Sequence, residues 1–191
     1  LGITHLDTGA MYRAVTLGII ESNIGLNDNE SISEFLKNIE IHFDSLNDIW
    51  LNGHNVAEKI RTIEVSSNVS AVSALPVVRQ KMVLIQRFIA KDKHCVLEGR
   101  DIGTVVFPNA DYKFFIVADL EIRAKRRLLD FEKIGEISSL TELISDIENR
   151  DRLDSSRDAS PLVQAKDAIS IDTSKLTIDE QIEKIVEIIN K

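Results

Sequence analysis

Near the middle of the chain, a short apolar run gives way abruptly to charged residues and glycine. Residues 95–97 are apolar, and Glu98-Gly99-Arg100-Asp101 follows them directly. Open α/β sheets bind ligands at the carboxyl ends of their strands, and glycine lets a backbone approach a ligand closely. Arg100 offers a planar fork for phosphate or carboxylate, Asp101 accepts hydrogen bonds, and Glu98 can hold a metal ion through water. We predict an anion-binding site here, the alternative being a polar turn after a core strand.

A second cluster of this kind, Asp7-Thr8-Gly9-Ala10-Met11-Tyr12-Arg13, lies close to the first residue. Thr8 is at the predicted start of a helix, where free backbone N–H groups favour an anion. Arg13 follows about a turn and a half later, so both side chains can contact one phosphate. A capped helix with a surface arginine is the alternative. Arg87, near the end of another predicted helix, is by itself typical of a solvated face.

A third cluster occupies residues 149–158, with the sequence NRDRLDSSRD. Arg150, Asp154 and Arg157 stand at i, i+4 and i+7, so a continuous helix would align them on one face. The alternative is a solvated, charged helix end. Three upstream arginines have a spacing that fits either salt bridges or a polyphosphate site: Arg123, Arg126 and Arg127.

The composition narrows the class of protein. A net charge of −8 argues against a nucleic-acid surface, and clustered arginines in an acidic protein are expected to face an anionic ligand. Cys95 is the single cysteine, so no intrachain disulfide can form, which fits a reducing cytosol. We expect Cys95 to be a small buried hydrophobe. No apolar run is long enough to cross a bilayer and no signal peptide is recognisable.

Strands and helices alternate along most of the chain, which predicts an α/β fold with a mostly parallel sheet covered on both faces. We expect Val96 and Leu97 to be buried in that sheet. Residues 39–43 and 49–51 break the pattern, because period-two alternation predicts an antiparallel hairpin. The hairpin would be the core of an insert over residues 39–75.

Helices are predicted at about 10–22, 29–37, 64–74, 76–89, 120–133, 140–148 and 178–189. Asp7 or Thr8 can cap the first helix, and Ser31 with Glu34 has the spacing of a capping box in the second. Pro76 suits the first turn of the fourth helix, whose apolar side includes Leu84 and Phe88.

Together, DTGAMYR, the hairpin insert, GRDIGTVVFP and NRDRLDSSRDASPL resemble bacterial cytidylate kinase, over nearly the whole chain and in the same order. The resemblance implies a P-loop nucleoside monophosphate kinase: a three-layer α/β sandwich in a single domain over residues 1–191. The insert at 39–75 would bind the nucleoside monophosphate, and a short lid would span 150–160. The implied reaction transfers the γ-phosphoryl group of ATP to CMP or dCMP with Mg²⁺, giving CDP or dCDP and ADP for pyrimidine nucleotide salvage.

The resemblance also implies a role for each matching residue. Those implied to bind CMP are Thr8, Arg13, Arg87, Arg100, Asp101, Arg150 and Asp154. Among them, Thr8 and Arg13 would hold the phosphate, Arg100 and Asp101 the cytosine, and Asp154 the ribose hydroxyls. Those implied to serve the transfer are Arg100, Arg150 and Arg157, and those implied to bind ATP are Arg126, Arg127 and Arg157. Glu98 matches the position associated with Mg²⁺. The resemblance further implies a cytoplasmic monomer with no nucleic-acid or membrane partner.

One family motif does not occur: the 191 residues contain no G-x-x-x-x-G-K-[ST] loop. In the family this loop precedes the DTGAMYR segment. We therefore expect an N-terminal truncation of roughly 25 to 30 residues, sized from a strand, a loop and a helix of ordinary length. We expect weak or absent kinase activity from these residues alone. Two alternatives stay open: a non-enzymatic nucleotide-binding module, and another small P-loop kinase such as a thymidylate or shikimate kinase.

Overall fold

The computed structural model describes residues 3–133, 135, 137–157 and 159–190. Its helices are α1 (Thr8–Glu21), α2 (Asn29–Lys37), α3 (Ile63–Ala74), α4 (Pro76–Ala90), α5 (Leu120–Lys133), α6 (Leu140–Ser156) and α7 (Ile178–Ile189). Its strands are β1 (Thr4–Asp7), β2 (Ile41–Phe43), β3 (Ile49–Leu51), β4 (His54–Asn55), β5 (Cys95–Glu98), β6 (Phe114–Val117) and β7 (Ile169–Asp172). A 3-10 turn at Lys59–Arg61 precedes α3, and a π-helix at Ile102–Val106 follows β5.

The strands confirm the predicted α/β class with parallel strands and an antiparallel insert. β1 pairs with β5 and β6 pairs with β7, both in parallel. β2, β3 and β4 form a separate antiparallel sheet. In the part of the chain that is described, the parallel strands make two pairs rather than one continuous sheet. The β1–β5 register places Asp7 opposite Glu98, so both carboxylates leave the same edge.

The main apolar core lies between α1, the insert and α4. Met11, Val15 and Val72 are fully buried there, together with Val78 and Met82 of α4. Most residues of α1 are buried, so packing fixes the position of this helix directly after β1. This core is aliphatic, so its packing depends on side-chain shape rather than on aromatic area.

Several expectations about burial are wrong. Val96 is 46% exposed, and Leu84 and Phe88 on α4 are 64% and 78% exposed. Cys95 is half-buried, although burial does raise the pKa of its thiol. The sequence pattern overestimated burial because period and hydrophobicity do not reveal which faces of a strand or helix are covered.

Helix boundaries follow the capping chemistry with two corrections. Asp7 caps α1 by accepting a 2.8 Å hydrogen bond from Ala10 N, as predicted. The cap of α2 is Asp28, not the Ser31 box predicted with Glu34. α6 extends eight residues beyond its predicted end at 148, so residues 150–156 of the predicted lid are helical. Asp158 of that predicted lid lies outside the described residues.

Among the described residues, no helix is both long enough and apolar enough to cross a membrane.

Candidate active site

The carboxyl edge of the β1–β5 pair is tightly built. Thr8 is 2% exposed, and its Oγ1 donates a 2.6 Å hydrogen bond to the carbonyl of Glu98. A Cβ added to Gly99 would collide with Thr8 Oγ1 and with the side chain of Ile102. Glycine is therefore required at position 99 by this close approach. The start of α1 and the end of β5 form one rigid corner.

Asp154 is the centre of an arginine cluster that combines two distant segments. Its carboxylate accepts hydrogen bonds from Arg100 Nε at 3.0 Å and Arg157 Nη1 at 3.3 Å. Arg150 Nε lies 3.8 Å from the same carboxylate, as expected for residues one helical turn apart on α6. Asp154 is 4% exposed, so one buried carboxylate faces three guanidinium groups. The structure thus brings together Arg100, Arg150, Asp154 and Arg157 from the sequence prediction.

A buried ion pair between Arg79 and Asp101 was not anticipated. The two side chains are joined directly and are 3% and 4% exposed. Arg79 also donates to the carbonyl of Ser73 at 3.0 Å and lies over the ring of Tyr12, 5.3 Å from its centre. The only sequence signal was an arginine placed among the apolar residues of α4, beside Val78. Asp101 therefore has a fixed cationic partner in addition to any ligand.

In this structure the Arg87 side chain hydrogen-bonds to backbone carbonyl groups. Its Nε and Nη2 donate to the carbonyls of Val106 and Val105, at 2.9 and 2.8 Å. Those carbonyls end the π-helix that begins directly after Asp101, and π-helical turns are frequent at functional sites. Arg87 therefore clamps the segment that carries Asp101. The role in phosphate binding expected for Arg87 stays a prediction.

Arg13 lies among other arginines. Its Nη1 donates to the Ile60 carbonyl at 3.1 Å and to Ser66 Oγ at 2.9 Å, both in the insert. Burial, and then the positive charges of Arg150, Arg127 and Arg61, lower the pKa of Arg13 to about 10. Such crowding of like charge disfavours each cation, and an anion placed between them would relieve it.

Arg126 and Arg127 lie on α5 but face different surroundings. Arg126 donates to Thr173 Oγ1 and to the Thr173 carbonyl, at 3.2 and 2.6 Å. The Arg127 guanidinium lies over the Phe131 ring, 4.4 Å from its centre, and is near enough to Arg13 to lower the pKa of Arg13. Arg127 thus adjoins the arginine cluster, whereas Arg126 is bound at the end of β7. Their expected contacts with ATP stay predictions.

Several buried polar atoms around these arginines have no hydrogen-bond partner among the described residues: Tyr12 OH, Arg79 Nε, Arg150 Nε and Arg157 Nη2. Leaving such groups unpaired costs roughly 1–3 kcal/mol each. Burial is also the main cause that raises the pKa of Tyr12 to about 12. Three unpaired guanidinium N–H groups and a phenol make this region suited to a ligand rich in hydrogen-bond acceptors.

A cavity of about 300 Å³ opens beside the edge of the β1–β5 pair and is lined by Asp7, Glu98, His5 and Arg61. His5 Nε2 lies 3.0 Å from Glu98 Oε1. Asp7 uses Oδ1 for the α1 cap. The described residues contain no cluster of three or more metal-ligating side chains. Two adjacent carboxylates nevertheless suit Mg²⁺, which binds through one or two carboxylates together with substrate phosphates.

A family model for cytidylate kinase matches residues 1–191. The curated cytidylate kinase of Clostridioides difficile is 47% identical over 190 residues, which cover 100% of this chain and 88% of the relative. That of Lactobacillus johnsonii is 46% identical over 194 residues, covering 100% and 84%. That of Acholeplasma laidlawii is 44% identical over 189 residues, covering 99% and 84%.

Proposed function

The chain belongs to the cytidylate kinase family, and we propose that it transfers the γ-phosphoryl group of ATP to CMP or dCMP, giving CDP or dCDP and ADP. Its similarity to curated cytidylate kinases covers at least 99% of this chain and at least 84% of each relative named above. This favours a cytidylate kinase over a thymidylate or shikimate kinase and over a module without enzymatic activity.

The observation that supports this function best is the arginine cluster at Asp154. A single buried carboxylate cannot neutralise Arg100, Arg150 and Arg157, and the protein as a whole carries a net charge of −8. Phosphoryl transfer requires positioned cations around phosphate oxygens and little covalent work from the protein. We assign these three arginines to the phosphates of the reacting nucleotides. In this assignment Asp154 orients them and offers its free lone pairs to the ribose hydroxyls.

We assign the cytosine to Asp101. Arg100, which the resemblance also implies for the cytosine, is assigned to the phosphates because it belongs to the cluster at Asp154. Arg79 occupies Asp101 Oδ2, which leaves Oδ1 to accept a hydrogen bond from the exocyclic amine of cytosine. A fixed carboxylate of this kind favours cytosine over uracil, which presents a carbonyl in place of the amine. Because Arg79 is buried and held by Ser73, the carboxylate is preorganised for this contact.

Thr8 and Arg13 are assigned to the phosphate of CMP. Thr8 lies in the first turn of α1, whose free N–H groups favour an anion. The Arg13 guanidinium lies among Arg61, Arg127 and Arg150, where a phosphate would lessen the repulsion. The attacking group is an oxygen of that phosphate, so no hydroxyl nucleophile or histidine base is required.

We further propose Mg²⁺ as the cofactor, with Glu98 and Asp7 as its protein ligands. Held by these two carboxylates, Mg²⁺ would supply positive charge to offset the charge that develops on the transferred phosphoryl group. Glu98 is exposed at the cavity, and among the described residues only His5 hydrogen-bonds to its carboxylate, so Glu98 can bind a metal ion through water. If so, Glu98→Gln raises the Mg²⁺ concentration needed for half-maximal activity about tenfold, whereas the exposed Glu64→Gln on α3 leaves it unchanged.

We also propose that the protein is a cytoplasmic monomer that binds no nucleic acid. The single cysteine and the acidic net charge support the compartment and the lack of a nucleic-acid partner. Sedimentation velocity at micromolar concentration tests the monomer, and a dimer peak would contradict it.

The test of the function is phosphoryl transfer by the full-length protein in which these residues occur, measured with CMP, dCMP, UMP and AMP as acceptors. We expect kcat/KM for CMP and dCMP to exceed that for AMP by at least about a hundredfold, the loss expected when a fixed polar group finds no partner on the wrong base. Equal rates with all four acceptors would refute the proposal, as would binding of CMP without turnover.

A further inference from the structure

The 3-10 turn at the end of the insert carries an arginine to which the sequence assigned no role. Arg61 is exposed and lines the cavity of about 300 Å³ together with Asp7, Ala10 and Glu98. The turn packs against α1. The preceding residue, Ile60, is 1% exposed and gives its carbonyl to Arg13. The position of Arg61 is therefore fixed by a buried neighbour and by a hydrogen bond to a site residue.

Arg61 lies near two other guanidinium groups, and it is the only arginine or lysine among the described residues that line the cavity. Its guanidinium is near enough to Arg13 and Arg127 to lower the pKa of both. Among the described residues, no hydrogen bond or ion pair engages the Arg61 side chain. A guanidinium that lines a cavity and has two other arginines nearby is poorly placed for structural support. It is well placed for an anion that enters the cavity.

The first turn of α1 makes the same cavity attractive to an anion. Ala10 of that turn lines the cavity. Its own N–H is used by the Asp7 cap, but the other N–H groups of a helix start favour negative charge. Of the three carboxylates that line the cavity, Asp7 and Glu98 are the proposed Mg²⁺ ligands. The third, Asp48, accepts a hydrogen bond from Asn55. A cavity with both cation ligands and an arginine suits a phosphate that is bound together with a metal ion.

We propose that Arg61 binds the second phosphate of the product CDP, the group transferred from ATP, while Arg13 binds the first. This rests on the proposed function. In the transfer, an oxygen of the CMP phosphate forms the new P–O bond and the bond to the bridging oxygen of ATP breaks. The electron pair of the broken bond leaves with ADP. Arg61 then contacts a phosphate that CMP lacks, so CDP makes a contact with the insert that CMP cannot make.

The experiment measures dissociation constants of CMP and CDP by calorimetry for the 191-residue chain and its Arg61→Ala and Arg61→Lys variants. We expect Arg61→Ala to weaken CDP about tenfold and CMP by less than about twofold, the size of one lost charge-assisted contact. Arg61→Lys keeps the charge but not the fork, so it should recover part of the CDP affinity. Arg13→Ala should weaken both nucleotides.

Arg152→Ala is the matched control, because Arg152 is an exposed arginine on α6 whose side chain, within the described part of the chain, hydrogen-bonds only to Asn149 of its own helix. It should leave both dissociation constants unchanged. Unchanged CDP affinity in Arg61→Ala would overturn the inference, and so would equal weakening of CMP and CDP. The proposed function fails on a different result, namely tighter binding of AMP than of CMP by the unmodified chain.

Discussion

Arg100 Nε donates a 3.0 Å hydrogen bond to Asp154 Oδ2 across 54 residues of sequence. The bond ties the end of β5 to the last turns of α6, two segments that otherwise belong to different parts of the fold. Arg157 reaches the other carboxylate oxygen of Asp154. Because the shared carboxylate is buried while Arg100 and Arg150 are partly open to solvent, the cluster is held together and these two cations stay available to a ligand.

Replacing Asp154 should expose the charge imbalance of this cluster. Asp154→Asn should lower the free energy of unfolding by about 2 to 3 kcal/mol, less than the ~3–5 kcal/mol of a fully buried pair because Arg100 and Arg150 are partly exposed. Added sulfate should restore part of the loss by occupying the place of the carboxylate. Urea unfolding measures both effects. The control is Asp130→Asn, which removes an exposed ion pair with Lys133. It should lower the free energy of unfolding by under about 0.5 kcal/mol, with no recovery in sulfate. Equal losses of unfolding free energy in both variants would contradict this prediction.

The pair of Arg79 and Asp101 should behave as a coupled unit. Each of Arg79→Met and Asp101→Asn leaves a buried charge without its partner, so each should cost about 3–5 kcal/mol. The double variant should cost less than the sum by at least about 1 kcal/mol. Chemical denaturation of the four proteins yields this coupling energy. The exposed pair of Glu34 and Lys37 is the control cycle, where coupling should stay below about 0.5 kcal/mol. Strict additivity for Arg79 and Asp101 would disprove a buried ion pair.

Arg87 offers a choice between two roles that one experiment separates. A clamp on the π-helix positions both Arg100 and Asp101, so Arg87→Met should weaken cytidine and CMP alike, by about tenfold. A direct phosphate contact, as the family resemblance implies, would weaken CMP alone. Arg87→Lys should not rescue, because an ammonium cannot hold the two carbonyls of Val105 and Val106 in a fork. Calorimetry with cytidine and with CMP distinguishes the two roles. A loss of affinity confined to CMP would reject the clamp.

Tyr12 should govern part of the alkaline limit of stability. Burial raises its pKa to about 12, above the ordinary value of 10.0, so the folded state keeps a proton that the unfolded chain releases. The part of the free energy of unfolding that depends on this proton is fully present below pH 10. It is lost as the pH rises from 10 to 12, and the loss reaches about 2–3 kcal/mol. Tyr12→Phe should therefore flatten the fall in stability above pH 10. At pH 7 it should be nearly neutral, because the hydroxyl has no partner among the described residues. If the stability of the unmodified protein and of Tyr12→Phe falls in parallel above pH 10, the assignment is wrong. Arg13 titrates in the same pH range, but it does so in both proteins and therefore cancels in the comparison.

Elements with strong local signals were predictable from the sequence. The Asp7 cap, the hairpin around residues 41–51 and Pro76 at the first turn of α4 depend on short-range chemistry that residue types reveal. The joint face of Arg150, Asp154 and Arg157 follows from helical period, once α6 is known to continue to Ser156. Local rules therefore anticipated much of the arginine cluster.

Long-range pairing was not predictable in the same way. Arg79 could not be matched with Asp101 because burial of an arginine is decided by what packs over it, and here that includes the ring of Tyr12. Arg61 escaped notice because it reaches the cavity through the packing of the insert on α1, which no periodicity encodes. Likewise, the exposure of Val96 and Phe88 depends on which surfaces have neighbours.

The most direct measurement is binding of CMP, AMP and cytidine to the 191-residue chain, followed by calorimetry and by the fluorescence of Trp50, the only tryptophan, which lies in the insert. A site built from Asp101 for the base and from Arg13 and Arg100 for the phosphate predicts that CMP binds at least about tenfold more tightly than AMP and than cytidine. Equal affinity for CMP and AMP would contradict the cytosine site, and equal affinity for CMP and cytidine would contradict the phosphate site.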